Sequence, residues 1–555
     1  MKGWKKLIPI VTALSLVLSG CGGAGEPAKD DVSSDAAASS GKVLRVGRMT
    51  ELFDMNSVIA TEADCLEIVS AIIEPLFVTA EDGTPANALC ESYEVSADGT
   101  EYTFHIRKEA NWMGGTPVTA HDFVFAWQKL VSPEVASEYS FMMEVAAVKN
   151  ASPIIAGEMD PKELGVSAKD DKTLVVELDH AVPFFLNLMT FPSFCPINQA
   201  YYEEKGTDYS LGAENLLCCG PFYMSEWEVG GNTYQLKKNP EYWDADNVKV
   251  DQIDFQIIKD PQQTMLAYEN GDLDYCRLSG EQISKYEGQP GFTRIEEGYL
   301  WYLSPNLNPK SPEYSCGLEN ENLRKAIALS FNKDAICYDI LKDGSIPADF
   351  AIPNRLAIGP DGKDFRETAG TYLKTDKEKA LEYWETAKKE LGVNEVTIEL
   401  LYDDSDSTPL IAQFLQSEME GTLPGLHIEL KAQPKKSRTQ LMQDREYQLG
   451  LTRWGPDYAD PMTYLDMWTT GSVYNYGEWS NAEYDAIIEA ANGELATDPA
   501  TRWEKLKEAE KIVMDHAVIL PVYQKGTAAM VRENVSGLYF FPVGVGTLYK
   551  FVDVQ

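Results

Sequence analysis

The chain has 555 residues, enough for several domains with separate cores, and its 44% hydrophobic and 24% charged content is that of an ordinary globular protein. A formal net charge of −39, from 87 acidic against 48 basic side chains, excludes the clustered Lys and Arg that nucleic acid or a basic membrane-surface patch would require. It fits an acidic protein working outside the cytoplasm and does not identify a ligand.

In chain order, the first element is a processing signal. Lys2, Lys5 and Lys6 precede an apolar run, residues 7–18, that is too short to span a bilayer, so residues 1–20 read as a signal peptide. Leu18-Ser19-Gly20-Cys21 closes it in the manner of a bacterial lipobox, whose cysteine is lipidated and becomes the mature N-terminus. The alternative is an ordinary signal peptide with a chance cysteine. Residues 21–42 are the lipidated Cys21 and a flexible tether rich in small residues. The expectation is a body held by lipid alone on the extracytoplasmic face of a bacterial cell membrane.

Residues 43–49 (VLRVGRM) predict a short strand, so folding begins there. Residues 66–77 form an apolar, helix-like run, and Asp82-Gly83 is a turn. Tyr102, Phe104 and Ile106 alternate at period two behind Asp98-Gly99 and predict a strand. After the turn Gly114-Gly115-Thr116-Pro117, Thr119 and Asp122 predict a capped helix whose apolar face is Phe123, Val124, Trp127 and Leu130. Trp127 is assigned to the core, and His121, with no partner in view, to the surface. Residues 173–178 predict a strand and residues 182–191 (VPFFLNLMTF) a buried apolar element.

Residues 299–306 lead from one domain into another. Residues 323–340 predict one amphipathic helix with Leu323, Ala326, Ile327, Phe331 and Ile336 on a single side. Thr375-Asp376-Lys377-Glu378 reads as a capping box opening a helix with Leu381, Trp384, Ala387 and Leu391 at helical spacing, closed by Gly392. Strands follow at 395–401, 426–430 and 448–452, and helices at 481–493 and 498–516, the second with Asp498 as N-cap and Pro499 at its first position. Residues 517–523 predict a strand leading back, and residues 539–551 are aromatic-rich and β-like. Helix and strand alternating without repeats indicate an α/β fold.

One stretch, residues 451–480, concentrates chemistry. Trp454, Tyr458, Tyr464, Trp468, Tyr474, Tyr476 and Trp479 crowd it well beyond the chain's 11% aromatic content, and Asp457, Asp460 and Asp466 sit among the rings. Gly455, Pro456 and Pro461 make its first third a loop. Rings that bury an apolar surface and a carboxylate that satisfies a charge suit a cationic group on an organic ligand. A surface loop pinned by its own aromatics, with solvated aspartates, reads equally from composition.

Catalytic signatures are missing: the sequence has no G-x-S-x-G, H-E-x-x-H or G-x-x-x-x-G-K-[ST] motif, and no G-x-G-x-x-G between a predicted strand and helix. Its five histidines are scattered, and carboxylate pairs such as Asp457 and Asp460, which could in principle hydrolyse glycosides, are plentiful by chance among 87 acids. Of nine cysteines, those after Cys21 are Cys65, Cys90, Cys195, Cys218, Cys219, Cys276, Cys316 and Cys337. They form no C-x-x-C or Cys/His cluster, so no metal or cofactor is expected. Adjacent Cys218 and Cys219 read as two separate small core residues.

Trp454-Gly455-Pro456-Asp457-Tyr458-Ala459-Asp460-Pro461 resembles the W-x-x-D-Y-x-[DE]-P signature of oligopeptide-binding proteins, the receptors of peptide ABC importers (extracellular solute-binding proteins of family 5). Residues 102–130 resemble the family's YTFHLR…PVTA.DFVYSWQR block. Cys219-Gly220-Pro221-Phe222, Asn239-Pro240-Glu241-Tyr242-Trp243-Asp244 and residues 267–274 match further landmarks, collinear from about residue 42 to the C-terminus. The resemblance implies a two-lobed periplasmic-binding-protein-like (type II) α/β fold with an extra small domain and a hinge between the lobes. It further implies a domain I at 43–73, 199–300 and 526–555, a small domain II at 74–198, and a domain III at 301–525 that carries the Asp457 loop. The implied function is capture of oligopeptides by lobe closure and delivery to ABC permease subunits, by a monomer with no reaction of its own.

By the same resemblance Asp457 pairs with the peptide α-amine, Trp454 and Gly455 form the adjacent wall, Tyr139 lines the ligand, and the segment from Thr61 to Ala63 meets the peptide's start. Arginines that hold a short peptide's C-terminus in some relatives align with Met442 and Leu451, a pocket tryptophan with Lys435, and an asparagine pair at the lobe crossing with Leu278 and Ser279. The C-terminal anchor is therefore not carried over. The alternatives are a receptor of the same fold for a signalling peptide, an oligosaccharide or a metal chelate, and a secreted hydrolase.

Overall fold

The computed structural model describes residues 41–308, 312–405 and 407–555, apart from the Glu281 side chain. The expected signal peptide, Cys21 and the tether up to residue 40 lie outside the described residues. Residues 41–555 form one compact unit.

Its frame is an 11-stranded mixed sheet. In spatial order the strands are Leu426–Gln433, Val396–Asp403, Leu449–Trp454, Phe292–Pro305, Leu520–Val531, Tyr275–Arg277, Val43–Arg48, Gln252–Ile257, Thr233–Lys238 and Phe222–Glu226, with Ile346–Pro347 attached to Leu520–Val531. Alternation explains each strand locally: in Val43–Arg48, Leu44 and Val46 are wholly buried on one face. The two central strands are the longest, with 14 and 12 residues. They pair antiparallel from Phe292 opposite Met530 to Leu303 opposite Leu520, so each serves both halves of the sheet. The register shifts between Glu296 and Leu300 and again between Trp301 and Tyr302, which gives this crossing two bulges. Buried Gln524 bridges the first bulge, donating to the carbonyls of Glu297 at 3.0 Å and Asn354 at 3.2 Å.

A separate antiparallel sheet has the order Cys90–Val95, Glu101–Ile106, Thr173–Glu177, Val166–Asp170. The helix Ala120–Leu130 packs on it behind the predicted Thr119/Asp122 capping box, with Phe123, Trp127 and Leu130 fully buried and the Trp127 indole donating to the Phe194 carbonyl at 3.0 Å. Beyond the crossing strands, a distinct hydrophobic cluster gathers Leu303, Ile327, Trp384, Ile398, Leu415 and Leu520. The cysteines after Cys21 are free thiols, all buried except half-buried Cys316, so Cys218 and Cys219 are indeed separate core residues.

Three local expectations change. The helix read over 323–340 is Glu321–Ser330, broken at extended Phe331 and restarted at Asn332, whose side chain accepts from the Ala335 N–H; a π-helical turn, Ile336–Leu341, follows. The Thr375 capping box does not form: Asp376 is the N-cap, and the Thr375 hydroxyl instead donates to the Phe331 carbonyl at 2.7 Å. His121 is exposed, as expected, but stands 3.6 Å from Asp171.

Candidate functional site

The strand Leu449–Trp454 ends where Gly455 and Pro456 stop the ladder, and the chain turns as a loop into the short helix Met462–Leu465. Buried side chains hold that turn rigid. The Tyr464 hydroxyl donates to the carbonyls of Gly298, on the crossing strand, and of Trp454. The Trp454 indole donates to the Thr463 carbonyl at 3.0 Å, and Thr463 Oγ1 accepts from the Asp457 N–H at 3.0 Å. Gly455 is required by a close approach, since a Cβ there would stand 2.3 Å from the Tyr299 ring. Gly298 admits Pro456, whose Cγ would lie 2.5 Å from a Cβ at 298.

The three aspartates of the loop take different roles. Asp460 is buried and forms a bidentate pair with Arg502, at 2.8 and 2.9 Å, while its Oδ1 accepts from the Met462 N–H. It braces the loop against the helix Pro499–Asp515 and offers nothing to a ligand. Asp457 and Asp466 both face a cavity of about 300 Å³ between the 141–184 region and the loop. Phe141, Val145, Phe184, Trp454 and Tyr474 are among its walls, and no Lys or Arg lines it. Trp454 meets Tyr474 edge-on at 4.8 Å, and Phe184 stacks on Tyr458 at 4.0 Å with the rings 8° from parallel. Phe184 also lines a neighbouring cavity of about 560 Å³.

Among the described residues, no salt bridge or side-chain hydrogen bond engages the carboxylate of Asp457 or of Asp466. Both residues are exposed to solvent where they meet the cavity, and the Met467 N–H reaches the Asp466 carboxylate. Partial desolvation by the cavity walls pushes the Asp457 carboxyl above its ordinary range. The same desolvation, reinforced by the charges of Asp457 and Asp460, raises Asp466 to about 7. Apolar walls with two carboxylates, and no Lys or Arg among the described lining residues, suit a cationic group on a ligand; Asp457 also lines a second, smaller cavity that includes Arg355.

The remaining predicted residues fall nearby to different degrees. Tyr139 is half-buried and packs its ring on Phe191 at 4.9 Å; its hydroxyl is raised first by burial and then by Tyr299, Asp457, Glu138 and Glu62. Glu62 is flanked by half-buried Thr61 and exposed Ala63, and Ala63 opens the helix Ala63–Ile72. Neither Thr61 nor Ala63 lines the cavity beside Asp457. Met442 and Leu451 are core residues, wholly buried or nearly so. Buried Arg438 and half-buried Arg453 share one carboxylate, Asp403, at 3.2 and 3.0 Å, and Arg445 pairs with Glu478.

Asp466, Phe184 and Tyr299 are the parts that the sequence reading did not assign to the site. The placement of Asp466 depends on the Met462–Leu465 turn, and Phe184 reaches the loop from far away in sequence, inside a run that reads only as core.

Comparison with known proteins places the chain among solute-binding proteins. The family model for bacterial extracellular solute-binding proteins, family 5 (middle), matches residues 84–476. A dipeptide-binding protein of Lactococcus lactis subsp. cremoris is 30% identical over 523 residues, covering 93% of this chain and 94% of that protein. The substrate-binding domain of an oligopeptide ABC transporter from Bacillus anthracis is 38% identical, with a TM-score of 0.67 over 93% of this chain and 99% of that one. The unliganded open form of the periplasmic murein tripeptide-binding protein MppA shares the fold at a TM-score of 0.81 and 23% identity, over 93% and 98% of the two chains.

Proposed function

The chain belongs to the bacterial extracellular solute-binding proteins of family 5, and from that membership we propose that it is a receptor, not an enzyme, which captures peptides between two lobes by their free α-amine. The observation that carries this reading is the uncompensated Asp457 carboxylate in an aromatic cavity. An α-ammonium would pair with it, and removing one member of an ion pair that closure around the peptide buries costs about 2–5 kcal/mol of binding. Trp454 and Gly455 would form the wall beside it, and Tyr139 with the Thr61–Ala63 segment would border the peptide's start. The extended peptide would pair through its backbone with protein edges, giving affinity independent of sequence. The relatives, a dipeptide-binding protein and the substrate-binding domain of an oligopeptide transporter, support a peptide ligand over an oligosaccharide or a metal chelate.

Three domains are proposed with the bounds given from the sequence, 43–73 with 199–300 and 526–555, then 74–198, then 301–525. The separate four-stranded sheet and the separate cluster around Trp384 support them. A lipid on Cys21 would tether the protein to the membrane, and the closed form would deliver its peptide to ABC permease subunits.

One experiment addresses ligand and anchor together: mass spectrometry of the protein extracted from membranes of the producing cells. The expected result is an N-terminal peptide beginning at lipid-modified Cys21, and released small molecules that are peptides with free α-amines. An unmodified N-terminus overturns the anchor, and co-extracted sugars or metal chelates without peptides overturn the ligand class.

A further inference from the structure

The Asp457 cavity holds one carboxylate more than an α-amine can neutralise. Asp466 projects into the same space of about 300 Å³, beneath walls that include Phe141, Val145 and Tyr474, and no Lys or Arg lines that space. Asp460, the third acid of the loop, is already satisfied by both nitrogens of Arg502, so it draws no charge away. The polar neighbours His180, Thr463 and Asn492 also line the cavity. The Thr463 hydroxyl accepts from the Asp457 N–H, the Met467 N–H reaches the Asp466 carboxylate, and among the described residues no side-chain hydrogen bond joins His180 or Asn492 to Asp466.

Resting on the peptide reading above, we infer that Asp466 is a specificity-determining residue which selects peptides whose first side chain is basic. A lysyl or arginyl stem is apolar along its length and cationic at its tip. It would bury its methylenes on the aromatic walls and place its head against Asp466, while the α-amine of the same residue meets Asp457. Aromatic faces add attraction for the cation. A neutral first side chain would fill the same walls but cover Asp466 without supplying it a partner, which is unfavourable.

The test is calorimetric titration of one short peptide carrying either lysine or norleucine at its first position, against the wild-type protein and Asp466→Asn. The two side chains share a stem and differ in charge. The wild type should bind the lysine peptide about tenfold more tightly. In Asp466→Asn that preference should fall below about threefold, through weaker binding of the lysine peptide and equal or tighter binding of the norleucine peptide. Asp466→Ser makes the same comparison if the amide variant does not fold. Equal affinities in the wild type, or a preference that survives in the variant, would overturn the inference. Equal weakening of both peptides by the variant would also overturn it, because both carboxylates would then be holding the α-amine. If the wild type binds neither peptide, the peptide reading itself fails and takes this inference with it, an outcome distinct from binding without preference.

Discussion

At the scale of single residues, the loop shows how one residue type is given different roles by its surroundings. Asp460 is neutralised by Arg502, whereas Asp457 and Asp466 face the cavity with no ion pair among the described residues. The consequence is a stability that depends on pH with a definite sign. Asp466 is raised from an ordinary 3.8 to about 7. Between these values the unfolded chain has released the proton and the folded chain retains it, so folding is favoured at the low end and that contribution is lost as pH rises toward 7. After burial, the groups that act on Asp466 are Asp457 and Asp460 on the loop, which raise it, and the Met467 N–H, which lowers it; His180 lines the same cavity. Ligand-free protein should therefore lose stability between about pH 4 and 7, and Asp466→Asn should flatten that decline. Denaturant titrations of both proteins at the two ends of the window check this; parallel declines would contradict the assignment.

At the scale of elements, much was legible because local chemistry agreed with the final fold. The Thr119/Asp122 box, the Asp498-Pro499 start and the Gly392 stop each form where the residues dictate. The failures share a cause. Thr375 is drawn away by the Phe331 carbonyl and Asn332 restarts a helix that periodicity would have continued; in both, a polar side chain found a backbone partner that apolar spacing does not reveal. The site was legible in the same measure. The motif around Asp457 marked the loop, while Phe184 and Tyr299 reach it only through tertiary packing. The crossing strand carries a direct test. A Cβ at Gly298 would stand 2.6 Å from the Pro542 carbonyl oxygen as well as meeting Pro456. Gly298→Ala should therefore destabilise the fold by about 1–3 kcal/mol, read as a lowered midpoint in chemical denaturation. An unchanged midpoint would show that the bulge yields freely.

At the scale of the whole molecule, the two long central strands join the halves of one sheet through bulges, and the Asp457 loop is pinned to that crossing by Tyr464. A ligand that pairs with the loop and also touches the 141–184 region would bind the lobes to each other, and would stabilise the protein in proportion to its affinity. The most direct measurement is thermal unfolding of protein stripped of carried-over ligand by unfolding and refolding. It would be made with a series of short peptides, each supplied with a free and with an acetylated N-terminus. At 100 times its dissociation constant a ligand adds about 2.7 kcal/mol of stability. Free peptides should raise the midpoint, their acetylated counterparts should not, and Asp457→Ala should erase the difference. Equal shifts from free and acetylated peptides, or a difference that persists in Asp457→Ala, would contradict α-amine capture by Asp457.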